Sequence, residues 1–317
     1  MSKIAASLLI AGLVALGLDP AQAQLARTFV SAAGGNDAND CNRATPCRTF
    51  FVAHDKTLAN GEITVLDPGE YGGVAITKAL SIVNDGVGEA SINLRSSSQQ
   101  GVGVAAGPDD AVSLRGLTIT GAAGNGGSGI VFQSGKSLTI ENCVVRGLTG
   151  AFPGGFGIVL QPTGKSSFSV LNTLVADNIN GGLKLAPLGG SATAVFRRVE
   201  AYNNRSFGLL VSATSANGPV TATVADSVAA GSAVGFGASA GSGPASLMVV
   251  RSVSAKNDTG LQAFGATATL RVTRSSITAN GAGLGAVQGG SIVSYGDNNI
   301  DGNGAGSESP TSTVAKR

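Results

Sequence analysis

The sequence predicts an all-β solenoid. Short parallel strands wind in three sheets around one core, in roughly nine or ten coils, with a helix closing the N-terminal end. Three observations predict it. Glycine accounts for 48 of 317 residues, aromatics for 4%, and there is no Trp. Val, Ile, Thr, Ser, Asn and Gly dominate, which suits short strands broken by tight turns. A degenerate repeat runs through the chain. The apolar residues Leu114, Ile140, Val170, Phe196, Val224, Val250, Val272 and Ile292 recur at intervals of 26, 30, 26, 28, 26, 22 and 20. No single period of this length buries its own apolar side, so the periods must stack and share a core.

Each period repeats the same elements. Five residues after the anchor stands a second apolar or small residue, as in Ile119, Val145, Val175 and Ala201. A polar position follows, read as Asn178, Asn204, Asp258 and Asn280, with Ser232 substituting. Asn there tolerates a left-handed corner, and its amide can bond to the Asn one coil away. A Gly-apolar pair comes next, as in Gly157-Ile158, Gly182-Leu183 and Gly208-Leu209. Gly suits a positive φ or a close approach between coils. Variable periods are tolerated because insertions lengthen turns without breaking the stack.

Upstream, strands are expected at 63–66, 74–76, 80–83, 92–94, 102–104, 112–114, 117–119 and 130–132. The segment ATPCRTFFVAHDKTLANGE reads as a helix from Pro46 to Ala59, capped by Thr45 and ended by Asn60-Gly61. Its Phe50 and Ala53 would cover the first coil. Cys41 and Cys47 stand six residues apart and suit a local disulfide in an oxidising compartment, with two free thiols as the alternative. Cys143 reads as a small buried apolar residue.

The first 23 residues carry Lys3, an apolar run from Ile4 to Leu18 and a small-x-small site ending at Ala23. That is the pattern of a secretory signal, with a signal anchor as the alternative. The expected organisation is a signal over 1–23, a cap with its helix over 24–62, the solenoid over 63–303 and a disordered tail over 304–317. The mature protein is expected to be secreted or periplasmic, with no membrane span. A net charge of +2 and 13% charged residues leave no nucleic-acid footprint.

Three stretches carry a resemblance: TFVSAAGGNDANDCNRATPCRTF, GEITVLDPGEYGGVAITKALSIVNDG and repeats such as SLTIENCVVRG. Over about Phe29 to Gly304 the chain resembles right-handed parallel β-helix proteins of the pectin-lyase-like superfamily. In particular it is similar to exported bacterial members of unassigned function. The resemblance implies the fold and its handedness. It does not select among the lyases, hydrolases, epimerases, tailspikes and adhesins that share it.

Hydrolysis would need two carboxylates on neighbouring coils. One residue after the anchors the sequence reads Glu141, Leu171, Arg197, Ala225, Arg251 and Thr273. Two after, it reads Asn142, Asn172, Arg198, Asp226, Ser252 and Arg274. No such column places acids side by side. The remaining catalytic candidates are Asp67, Glu70, Asp85, Glu89, Asp109 and Asp110 in the early coils. A lyase would add Ca²⁺ on clustered carboxylates and an Arg or Lys base. Otherwise no cofactor and no metal are expected. Arg197 and Arg251, read in one outward column two coils apart, and Arg198 and Arg274 beside them, are the candidate ligands for an acidic polysaccharide. The leading expectation is an exported, non-catalytic module that binds glycan or serves as an envelope structural or adhesive element. A polysaccharide lyase or glycoside hydrolase and a tailspike-like oligomer are the alternatives.

Overall fold

In the computed structural model, which describes residues 24–121, 126–304 and 309–315, the chain winds into a parallel β-helix of about nine turns. The expected signal segment 1–23 lies outside the described residues. Inward Val, Ile, Leu and Phe side chains stack coil on coil into one core, and burial of each stabilises the stack by roughly 1.5–3 kcal/mol.

Each coil contributes a strand to three faces. The third face is an independent nine-stranded sheet. Its strands are Val74–Ile76, Gln100–Ala105, Ser128–Ser134, Phe156–Leu160, Gly181–Leu185, Phe207–Ala213, Val234–Ala240, Thr259–Phe264 and Ala282–Val287. The first and second faces are joined, because Ser166–Ala176 and Ala192–Tyr202 run unbroken round the corner between them.

The stacking register corrects one step of the expected repeat. Leu114, Ile140, Val170, Phe196 and Val224 stack in one column as expected, and it continues through Val249 to Val272. Val250 instead points outward, half-buried. The doublet Val249-Val250 offers two apolar residues at the anchor, and only pairing decides which turns in. At the next coil Ser294 pairs with Val272, while Ile292 pairs with Leu270 one inward position earlier. The same slip moves the polar ladder, whose member in that coil is Asn257 and not Asp258.

That ladder is buried. The Asn178 amide donates to Asn204 at 2.9 Å, Asn257 to Asn280 at 3.0 Å and Asn280 to Asn303 at 2.9 Å. The left-handed backbone expected of these residues belongs to those just before them, Asp177, Asn203, Lys256 and Ala279. Between Asn204 and Asn257 the ladder position is Ser232. Its buried hydroxyl has no hydrogen-bond partner. A second ladder lies at the corner between the first two faces. The Ser227, Ser252 and Ser275 hydroxyls accept from the backbone N–H of Val199, Ser227 and Ser252, at 3.1–3.2 Å. Cys143 occupies the same kind of position, and burial pushes its thiol up to about 11.

The N-terminal end is closed as expected, by a shorter helix. It spans Phe50–Lys56, with the Thr49 hydroxyl accepting from the Val52 N–H. Residues 46–48 are not helical, because Cys47 pairs with Val30 and the Pro46 carbonyl accepts from Asn36. Thr57 begins a strand that runs to Val65, so Asn60-Gly61 lies inside it. Phe50 and Ala53 are buried, and the Phe50 ring lies 5.0 Å from that of Tyr71. Cys41 and Cys47 are disulfide-bonded, with Cα atoms 4.6 Å apart. At the other end Ser312–Thr313 pairs with Val293–Ser294, which corrects the expected disordered tail for those residues. Among the described residues no helix is long and apolar enough to cross a membrane.

Candidate functional site

The acidic candidates do not converge. Asp67 accepts from the Ser31 hydroxyl at 2.5 Å, the Ala32 and Ala33 N–H groups at 2.6 and 3.2 Å and the Tyr71 hydroxyl at 2.6 Å. Burial raises its pKa, but these four donors outweigh it and hold the carboxyl below its ordinary range. Asp67 therefore fastens the first strand to the first coil. Glu70 accepts from Asn93 at 3.1 Å and lies 3.8 Å from Arg95, and Asp85 lies 3.4 Å from Arg115. Asp110 closes its own loop by accepting from the Gly107 N–H at 2.8 Å. Asp109 and Glu89 are exposed. Among the described residues no three His, Cys, Asp or Glu side chains are grouped to hold a metal ion.

The arginines are placed differently from expectation. Arg197 shares its outward column with Ala225, Val250 and Thr273. Arg251 stands at the corner, with Arg198, Asp226 and Arg274, all at positive φ. The two therefore do not form a spaced pair. Both close on Asp226, at 3.1 Å from Arg197 and 2.7 Å from Arg251. The Arg251 hydrogen bonds, with Arg197 second, draw the Asp226 carboxyl down to about 2. Arg198 donates to the Asn172 side chain. The basic column is thus largely occupied by partners within the chain.

The third sheet holds what the charged residues do not. Two loops rise over its outer surface, Ser96–Gln99 and Ala151–Gly154, and bound an open groove of about 520 Å³. Each wall is built by local chemistry. The Gln99 side chain accepts from the Arg95 and Ser96 N–H groups at 2.8 and 3.1 Å. The Asn180 amide donates to the Gly154 carbonyl at 2.5 Å. Gly127 lets the two walls meet, since a Cβ there would lie 1.6 Å from the Gln99 carbonyl oxygen.

Val131, Val159, Phe156 and Lys184 form the floor, with Gln100 and Gln161 beside them. Phe156 stacks on Phe207 at 6.2 Å and meets Phe152 edge-on at 6.3 Å. Phe152 stands 79% exposed on the wall. The Lys184 ammonium lies 5.8 Å from the centre of the Phe156 ring, and burial lowers its pKa. Among the described residues no Asp or Glu lines the groove. Aromatic faces take apolar C–H surfaces, and the amides supply directional hydrogen bonds at the edges. Among the described residues, the groove presents no pair of carboxylates of the kind that hydrolysis uses.

The sequence contained a signal for this site. Phe156 and Phe207 each immediately precede the repeated Gly-apolar pair. That position faces outward at the sheet edge, and a search restricted to charged columns passes over it.

Comparison with known proteins places the architecture. A pectate lyase, Pel9A, is similar in structure with a TM-score of 0.52 and 15% identity, over 91% of this chain and 76% of that one. A rhamnogalacturonan lyase has a TM-score of 0.53 and 12% identity, over 80% of this chain and 76% of that one. At these identities the likeness is one of fold. No curated protein matches the chain. The family model for the right handed beta helix region matches residues 81–247, just over half the chain. On that match, the chain belongs to the right-handed β-helix family.

Proposed function

We propose that this is an exported protein that binds glycan chains in the third-sheet groove without cleaving them. The observation that carries the reading is the groove's composition. Aromatic rings, amides and one half-buried lysine face its space, and among the described residues no carboxylate does. Sugar rings offer apolar faces for Phe152 and Phe156, and hydroxyls for Gln100, Gln161 and Lys184. Export is supported by the Cys41–Cys47 disulfide, since such bonds persist in oxidising compartments, and by the signal-like first 23 residues.

Binding and cleavage are separable by experiment. Affinity electrophoresis in a panel of polysaccharides should show retardation of the wild type, with no new reducing ends and no unsaturated product, with or without Ca²⁺. Phe152→Ala and Lys184→Met should each weaken binding roughly tenfold, about 1.4 kcal/mol, with the thermal midpoint unchanged. Retardation equal to wild type in both variants would remove the groove as the site. A lyase remains the second reading, because desolvation favours the neutral, basic form of Lys184. Release of unsaturated sugar that Lys184→Met abolishes would establish that reading in place of the first.

A further inference from the structure

The third sheet has a property that its groove alone does not explain. In all nine of its strands Lys184 is the one charged residue. The walls cover only the earlier coils. Beyond them the turns into the sheet shorten to a few residues, and the outer surface continues open. Leu210, Val234 and Phe264 point outward there, half-buried, followed by exposed Val287. Gly237 keeps this surface low. A Cβ at that position would lie 3.0 Å from Leu210 and 3.3 Å from Val234, so both side chains lean over the glycine. Phe207 joins the two parts, since it stacks on Phe156 in the groove and pairs with Val234 on the next coil.

The result is a continuous, nearly uncharged strip. From Ser128–Ser134 to Thr259–Phe264 it crosses five inter-strand steps, about 24 Å at about 4.8 Å each. A polyuronate laid along it would bring a carboxylate with every sugar and meet one ammonium. Each remaining carboxylate would be partly desolvated against apolar side chains without a partner, which costs free energy. A chain with few or no charges faces no such cost, and its ring faces match the Phe and Leu surfaces.

We infer that the ligand is a neutral or sparsely charged polysaccharide whose chain continues out of the groove along the third sheet, over Leu210, Val234 and Phe264. The inference rests on the glycan-binding reading of the groove and specifies the class and the length of the ligand.

The test uses the full mature chain. Affinity electrophoresis compares xylan, glucomannan and galactan with polygalacturonate, at low and high salt. Calorimetry then follows an oligosaccharide series from whichever polymer binds. The expected result is retardation by a neutral polymer, insensitive to salt, with affinity rising until the oligosaccharide is long enough to span the strip. Leu210→Ala/Phe264→Ala should lower affinity for the polymer roughly tenfold and leave that for a disaccharide unchanged. Preferential, salt-sensitive binding of polygalacturonate would overturn the ligand class. Equal affinity for short and long oligosaccharides would overturn the extended strip and leave the groove standing. Failure to bind any of these polymers or oligosaccharides would overturn the groove reading itself, and the strip with it.

Discussion

The corner between the first two sheets and the outer surface of the third differ most in what they do with charge. At the corner Arg197 and Arg251 share Asp226, and Arg198 donates to Asn172. The third sheet carries one ammonium, Lys184, whose ring neighbour is Phe156. Arg197, Arg198 and Arg251 at the corner are matched from within the chain and have little left to offer a ligand. The third sheet gives up charge almost entirely and presents rings, amides and methyl groups. A census of basic residues directs attention to the corner, while local matching of partners directs it to the sheet. Under the proposed glycan-binding function, the comparison predicts a division of labour, in which corners hold the coils together and the third sheet holds the ligand.

Substitutions at the corners should therefore change stability and leave binding alone. The largest effect is expected from Asn204→Ala. Its amide donates to the Val175 carbonyl at 2.8 Å, and its oxygen accepts from Asn178. Removing it strands buried partners and should cost roughly 3 kcal/mol, read as a lower urea midpoint at unchanged glycan affinity. A fall in affinity at temperatures where the variant remains folded would break the division.

Ser232→Asn should act in the opposite sense and more weakly. It supplies the missing ladder amide and removes an unpartnered buried hydroxyl, for a gain of about 1 kcal/mol. A lowered midpoint would show that the corner has no room for the larger side chain.

Asp226→Asn should have the smallest effect, because exposed pairs contribute little and are screened by salt. Its sign is fixed by the depressed pKa. The Asp226 contribution is present above the ordinary value of 3.8 and is lost as pH falls through about 2. The difference between wild type and variant should therefore shrink from pH 4 to pH 2, and also at high salt. A difference that grows on acidification would contradict the ion-pair account.

The fold was legible because its signals are periodic. The inward column from Leu114 to Val224 appears in the sequence as alternating apolar residues at a fixed distance from a polar turn. The reading slipped at Val249-Val250, where two neighbouring valines satisfy the same pattern and only the pairing with Val224 chooses between them. That slip of one residue moved Arg251 from a corner into a sheet column and produced an apparent basic site. The helix was legible in its buried residues Phe50 and Ala53. Its start was not, because pairing of Cys47 with Val30 holds 46–48 extended. The groove was the least legible feature. Its walls come from residues 96–99 and 151–154, brought together by the stacking of coils, and its floor from three different strands. Phe156 and Phe207 stack because Gly181 stands between their coils, where a Cβ would lie 2.4 Å from the Phe207 ring. No local pattern records that contact.

The break in the asparagine ladder at Ser232 has a consequence for how the molecule comes apart. A solenoid is a one-dimensional chain of repeats whose cooperativity depends on the weakest interface between neighbours. Side-chain amide links run from Asn178 to Asn204 and from Asn257 through Asn303, and the Asn257 amide also accepts from the Ser232 N–H and donates to the Ala229 carbonyl, both at 3.0 Å, so the missing link is the one between Asn204 and Ser232. The backbone strands still pair across that boundary on all three faces, so it is a weakened step in a continuous stack, where local opening is expected first. Opening that starts at the C-terminal coils is expected to slow where the ladder lacks its link, between Ser232 and Asn204, with the walled groove and the disulfide-closed end on the far side of that step.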